Sequence, residues 1–173
     1  IIVRGGEPGI RRCVGLHGID VELVDSHISG CWRLGQDSQA VWINHGNGIR
    51  VLNNYLEAAS ENLMTGGAGA AIPNESPRNV TIVGNTFTKN QVWRSSPHQV
   101  KNLLEFKHVR GAIVRGNVFD GNWPDAQDGT AILFSPRASN DASPWSVVED
   151  VLVENNVVRH VSDGIDMTGE DHG

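Results

Sequence analysis

The chain has 173 residues, of which 39% are hydrophobic and 20% charged, and its net charge is −6. That length supports one domain with a real core, and that composition excludes both a disordered chain and a membrane-spanning one. There is no apolar run near the roughly 18 residues of a spanning helix, and Arg11-Arg12 is the one adjacent basic pair, which argues against nucleic acid as the main partner.

The sequence opens on Ile1-Ile2-Val3, which reads like the middle of a strand. It stops at Asp171-His172-Gly173 with no capping helix and carries no signal-peptide pattern. The expectation is a single unit over residues 1–173, cut from a longer chain, with both ends uncapped. Cys13 and Cys31 lie 18 residues apart and fit no zinc spacing. One disulfide and two unlinked thiols both suit that spacing.

Five segments then align without gaps: Val21–Ile28, Ile49–Leu56, Val80–Phe87, Ala112–Phe119 and Val151–Val158. Each reads apolar-x-apolar-x-x-Asn-x-apolar, with Ser26 in place of Asn in the first. The spacings from Ser26 through Asn54, Asn85, Asn117 and Asn156 are 28, 31, 32 and 39 residues. A short unit at such a period implies stacked coils, because one unit cannot bury its own apolar side. The period-two alternation predicts strands. Leu23, Val51, Ile82, Val114 and Val153 form one inward column, and Ile28, Leu56, Phe87, Phe119 and Val158 form another. The Asn column falls at the corner between them, where Asn tolerates a left-handed backbone. Side-chain amides stacked at the ~4.8 Å strand spacing can bond one another.

A second strand recurs in each coil, at Ala40–Asn44, Asn62–Gly66, Leu103–Lys107, Ala131–Ser135 and Gly164–Thr168. Aligned, these put Ile43, Met64, Phe106, Phe134 and Met167 inward. Trp42, Asn44, Leu63, Thr65, Glu105, Lys107, Leu133, Ser135, Asp166 and Thr168 then face outward, with Asn62 breaking the neighbouring apolar column. Asn54–Met64 is the one stretch with a trace of helical period. Insertions at Val92–Gln99 and Arg137–Ser146 read as surface loops. On the first strands, Val24, Leu52, Val83, Ile113 and Leu152 face outward, so another segment or another subunit should cover that face. Arg115 and Glu154 are placed to pair.

A strand followed by an Asn turn also occurs in leucine-rich repeats. The periods here exceed 20–29 residues, the apolar columns are Val, Ile and Phe rather than Leu, and no helical stretch follows each repeat. The ladder of Val80-Thr-Ile-Val-Gly-Asn-Thr-Phe87 and its partners resembles right-handed parallel β-helix proteins of the pectate-lyase-like superfamily, most closely bacterial members with Gly-Asn-x-Phe coils. The resemblance covers roughly residues 15–170. It implies an all-β, right-handed single-stranded parallel β-helix of about five coils, with an Asn ladder at the inner corner. It also implies a secreted or periplasmic, carbohydrate-active protein, either a polysaccharide lyase or a glycoside hydrolase. That superfamily includes non-catalytic glycan-binding, adhesive and structural solenoids, so fold does not fix activity.

In such a fold the ligand is expected in a groove over the second-strand sheet. The candidate catalytic residues are Glu105, Lys107, Arg137 and Asp166. Glu105 and Asp166 are two coils apart, about 9–10 Å, near the upper end for an inverting glycosidase pair. Lys107 and Arg137 suit a uronate-containing glycan, where a base removes the C5 proton and a cation neutralises the carboxylate. The competing reading makes all four solvated surface charges in loose pairs, and the catalytic signatures of the superfamily are missing. Trp42, Asn44, Ser135 and Trp145 are the candidate glycan contacts. Trp32, Trp93 and Trp123, each six to eight residues past a corner, are expected to seal coil edges instead. No cofactor is expected. Asp120, Asp125 and Asp128 could hold Ca²⁺, but their spacing matches no EF-hand and ordinary turn chemistry accounts for them. The seven His fall in no metal-binding spacing.

Overall fold

Short strands rich in Val, Ile and Phe must pair every backbone N–H and C=O. In this chain the partner lies one repeat away. The computed structural model describes residues 1–70, 72–138 and 142–169. It is all-β, with parallel strands in three sheets, consistent with a β-solenoid. The repeat sheet runs through Glu22–Val24, Arg50–Leu52, Pro77–Val83, Val109–Arg115 and Val148–Glu154, with short strands Gly18–Ile19 and Gly46–Asn47 at its margin. The turn sheet orders Ile2–Arg4, His27–Cys31, Tyr55–Ala58, Thr86–Thr88, Val118–Asp120 and Val157–Arg159. The groove sheet orders Arg12–Gly15, Gln39–Ile43, Glu61–Thr65, Leu104–Phe106, Thr130–Phe134 and Asp163–Met167.

Register follows the repeat. Leu23, Val51, Ile82, Val114 and Val153 pair successively across the repeat sheet. Ile28, Leu56, Phe87, Phe119 and Val158 do so across the turn sheet. Like side chains therefore lie over like, and the Phe87 and Phe119 rings stack at 4.6 Å.

The repeated asparagines are hydrogen-bonded in series. Asn54 Nδ2 donates to Asn85 Oδ1 (2.9 Å), Asn85 Nδ2 to Asn117 Oδ1 (3.0 Å) and Asn117 Nδ2 to Asn156 Oδ1 (2.9 Å). Each acceptor oxygen also takes the backbone N–H of the preceding asparagine, at 2.8–2.9 Å. Each Nδ2 reaches back to a carbonyl of the coil before: Leu23, Val51, Ile82 and Val114 in turn. Ser26 has no amide to pass on, but its N–H still donates to Asn54 Oδ1.

Four expectations are corrected. The left-handed residue is the one before the asparagine: Asp25, Asn53, Gly84, Gly116 and Asn155 have φ between 48° and 69°. A second left-handed column, Asp20, Gly48, Asn79, Gly111 and Asp150, stands one residue before the first apolar position of each repeat. Both columns hold only Gly, Asn and Asp, the residues that tolerate positive φ. Second, the third coil's groove strand is shifted by one residue. Leu63 pairs with Val41 and Leu104, and Thr65 with Ile43 and Phe106, so Met64 joins Trp42 and Glu105 on the outer face. Met64 is nonetheless buried, because its methyl lies against the Gly67 turn. Apolar character misled the alignment here: the outer face is covered. Asn62 turns inward and donates to the carbonyls of Leu56 (2.7 Å) and Thr88 (2.6 Å).

Third, Asn54–Met64 is not helical but two strands joined at Ala59-Ser60. The buried Lys89 ammonium reaches this corner and donates to the carbonyls of Ala58, Ala59 and Ser60, and to that of Asn102 in the next coil. A corner so bonded has no need of helical hydrogen bonds. Fourth, the outer residues of the repeat sheet form two columns rather than one. Val24, Leu52 and Val83 share theirs with Arg115 and Glu154, which pair at 2.5 Å. Ile113 and Leu152 share the other with Thr81, Arg50 and Glu22, and the last two form an ion pair.

Cys13 and Cys31 are joined, with Cα atoms 5.9 Å apart. The bridge ties the first groove strand to the turn sheet. At the far end of the stack, Ile165 and Met167 are 51% and 70% exposed, whereas Ile132 and Phe134 beneath them are 0% and 8%.

Asn85→Ala should strand the Val51 carbonyl and the Asn54 N–H in a dry interior. We expect a loss of about 2–4 kcal/mol in urea unfolding. A loss comparable to that of an exposed control such as Gln36→Ala would contradict the role given to this column.

Candidate functional site

Parallel strands put every insertion that precedes a groove strand on one margin of that sheet, and every insertion that follows it on the other. Two walls result. The leading wall contains a 3₁₀ turn, Gln91–Ser95, capped by the Asn90 side chain. Trp93, Trp123, Val100 and Ala59 pack there with Trp32 against them, and the Arg94 guanidinium lies 4.2 Å from the Trp123 ring. These three tryptophans therefore seal the coil margin, as expected. The trailing wall joins the loops after Thr65 and after Phe134. Gly67 bridges Ala138, Ala70 N–H donates to Ser143 Oγ (2.9 Å), and Trp145 Nε1 donates to the Glu75 carbonyl (3.2 Å). The predicted Arg137–Ser146 loop lies partly outside the described residues, at 139–141.

Between the walls, the outer face of the groove sheet carries a row of charged and amide side chains. Glu105 is 0% exposed. Its carboxylate accepts from Ser135 Oγ (2.8 Å) and Asn102 Nδ2 (3.3 Å), and Lys107 Nζ lies 3.5 Å away. Glu105 is thus neither solvated nor loosely paired, which overturns the surface-charge reading for this residue. Glu61 lies nearby and is missing from the sequence-based candidates. It too is 0% exposed. It accepts from Gln39 Nε2 (2.7 Å), and its second oxygen is 3.8 Å from Lys101 Nζ with no hydrogen-bond donor. Lys101 in turn binds Asp37 at 2.7 Å. Burial, reinforced by the neighbouring Glu105 and Asp37 carboxylates, pushes Glu61 up to about 7, against the pull of Lys101 and Lys107.

The floor opens at the last coils into a cavity of about 160 Å³. Ser135, Arg137 and Asp166 line it together, with Asn102, Gln127, Asp128 and Thr168. Glu105 lies on the adjoining strand with Lys107 just past its end, and Leu133 separates Glu105 from Asp166 in one register row. Three of the predicted residues therefore share one wall-to-wall space, while Glu105 sits beneath it, bonded to Ser135. Trp42 and Asn44 lie farther along the sheet. The Arg12 guanidinium is 3.6 Å from the Trp42 ring, Trp42 Nε1 donates to the Gly66 carbonyl (2.9 Å), and Asn44 faces the Gly66–Ala68 turn. Trp42 is therefore not an open stacking platform, because a cation already occupies one face. Trp145 is committed to the trailing wall, outside the cavity.

The aspartates weighed for Ca²⁺ do separate jobs. Asp120 binds Arg159 and His160, Asp125 accepts from Val100 N–H (2.7 Å), and Asp128 lines the cavity. Among the described residues no group of three or more His, Cys, Asp or Glu converges as a metal centre. His172 lies outside them. A larger concavity of about 680 Å³ opens beside His27, Asn53 and Tyr55, but Asp25 is the one carboxylate among its described lining residues and is tied to Asn53 at 2.7 Å. No protein-family profile, curated protein or solved structure matches the chain.

Glu61 gives a pH signature. Its ordinary value is about 4.3, so between there and about 7 the folded protein holds a proton that the unfolded chain has released. The stabilisation is complete below about pH 4.3 and is lost as pH rises through about 7. Glu61→Gln should flatten the fall in the urea midpoint between about pH 4.5 and 7.5. Parallel profiles for the two proteins would contradict this.

Proposed function

We propose that the chain is a right-handed parallel β-helix of about five coils, related to the pectate-lyase-like superfamily, and that it binds and cleaves an extended glycan along the groove sheet as a polysaccharide lyase or glycoside hydrolase. Parallel crossovers are right-handed in nearly all known cases, and the asparagine series supports the ladder at the inner corner. One observation carries the functional reading: Ser135, Arg137 and Asp166 meet Asp128 in a single cavity on the walled face. Exposed Asp166 and Asp128 can accept or deliver a proton, and Arg137 can neutralise a developing anion. Glu105, held by Ser135, Asn102 and Lys107, positions the floor rather than attacking substrate. At about 160 Å³ the cavity is smaller than the roughly 300–1,000 Å³ of a complete ligand site, which suits one subsite of a longer polymer. The disulfide supports a secreted or periplasmic location, where such bonds persist.

The bonded, inaccessible state of Glu105 favours a second reading, a glycan-binding, adhesive or scaffold solenoid without catalysis. A polysaccharide panel separates the two. Release of reducing ends is expected for a cleaving protein, with ultraviolet absorbance of an unsaturated product if it eliminates. Arg137→Ala and Asp166→Asn should each lower the rate about 10²-fold or more, and Glu105→Gln should lower it less. Full activity in all three variants would refute the assignment, and binding without cleavage would establish the second reading.

A further inference from the structure

The charges around the cavity are unequal. Asp128 and Asp166 line it and are exposed, and Arg137 is the one basic residue among its described lining. Asp163, also exposed, pairs in register with the lining residue Thr130 and adds a third carboxylate at this end of the sheet. Cations elsewhere on the groove floor are held by other groups. Lys107 lies 3.5 Å from Glu105, Lys101 is 2.7 Å from Asp37, and the Arg12 guanidinium sits over Trp42. A polyuronate would therefore bring repeating negative charge to a negative opening, on a protein whose net charge is −6. The neutral lining groups, Asn102, Gln127, Ser135 and Thr168, supply hydrogen bonds without changing that balance.

We infer that the groove takes an amino-sugar glycan, whose ammonium groups are flanked by Asp128 and Asp166, rather than a uronate polymer. The inference rests on the glycan reading above in its hydrolase or binding form, since elimination needs a uronate carboxylate, and it replaces the uronate expectation drawn from Lys107 and Arg137. Electrostatic selection of this kind discriminates between partners more than it adds raw affinity.

The test is calorimetric titration in mildly acidic buffer with three hexasaccharides: glucosamine, N-acetylglucosamine and galacturonate. The glucosamine hexamer should bind most tightly and the galacturonate hexamer most weakly. The gap should narrow at about 1 M salt, where the Debye length falls to ~3 Å. Asp128→Asn and Asp166→Asn should each weaken glucosamine binding roughly two- to fivefold, the range of an exposed ion pair. Asp150→Asn, at the distant repeat-sheet cleft, should not. Galacturonate binding most tightly would overturn the inference and leave the glycan reading standing. Equal losses from Asp150→Asn and Asp166→Asn would overturn it too, since the attraction would then be to net charge alone. Failure of all three hexamers to bind would sink both readings.

Discussion

Every other feature of this protein depends on successive repeats pairing in one fixed register. A slip of one residue would turn the inward Ile and Phe columns toward solvent, and parallel strands of two to seven residues carry little register information of their own. The asparagine series supplies it. Asn85 and Asn117 each spend their amide donors on the preceding coil's carbonyl and the next coil's oxygen, and their own oxygens take two donors from the coil before. A displaced asparagine would leave several buried groups unpaired at once, at about 1–3 kcal/mol each. Correct stacking is thus favoured by hydrophobic burial and by polar satisfaction together.

Fixed stacking leaves the connections free to vary. The spacing between successive repeats grows from 28 to 39 residues without disturbing the pairing, because the additional length emerges at the margins of the groove sheet. Long loops are tolerated there for the usual entropic reason, and once present they pack on each other. The tryptophan cluster on one side and the Gly67–Ala138 bridge on the other turn a flat sheet into a walled floor. Desolvation by those walls is what raises Glu61 and isolates Glu105. Lys89 links this floor to the stack, since the carbonyls it binds belong to the corner before Glu61 and to Asn102, whose amide holds Glu105.

The sequence was legible where one physical rule acted alone. Inward columns, Asn positions and all five second strands to within a residue followed from alternation and repetition. It was less legible where coverage by loops reversed the usual meaning of a residue type. Met64 looked like core and lies on the covered outer face, while Asn62, which reads as a break in an inward apolar column, turns inward to two carbonyls. Glu61 was overlooked because an isolated Glu in a strand carries no local mark of burial. Asp128 was weighed only as a turn or Ca²⁺ residue, since its approach to Asp166 exists only across coils. The two left-handed columns were present in the sequence as unbroken files of Gly, Asn and Asp, and a second pass along the repeat for positive-φ residues would have found them.

Side-chain amide hydrogen exchange tests the central claim most directly. The Nδ2 protons of Asn54, Asn85 and Asn117 should exchange as slowly as the backbone N–H groups of the strands beside them, while the exposed amides of Gln36 and Asn74 exchange at near-solvent rates. Rapid exchange at Asn85, the middle of the series, in an otherwise protected protein would mean that the coils are not held in register this way.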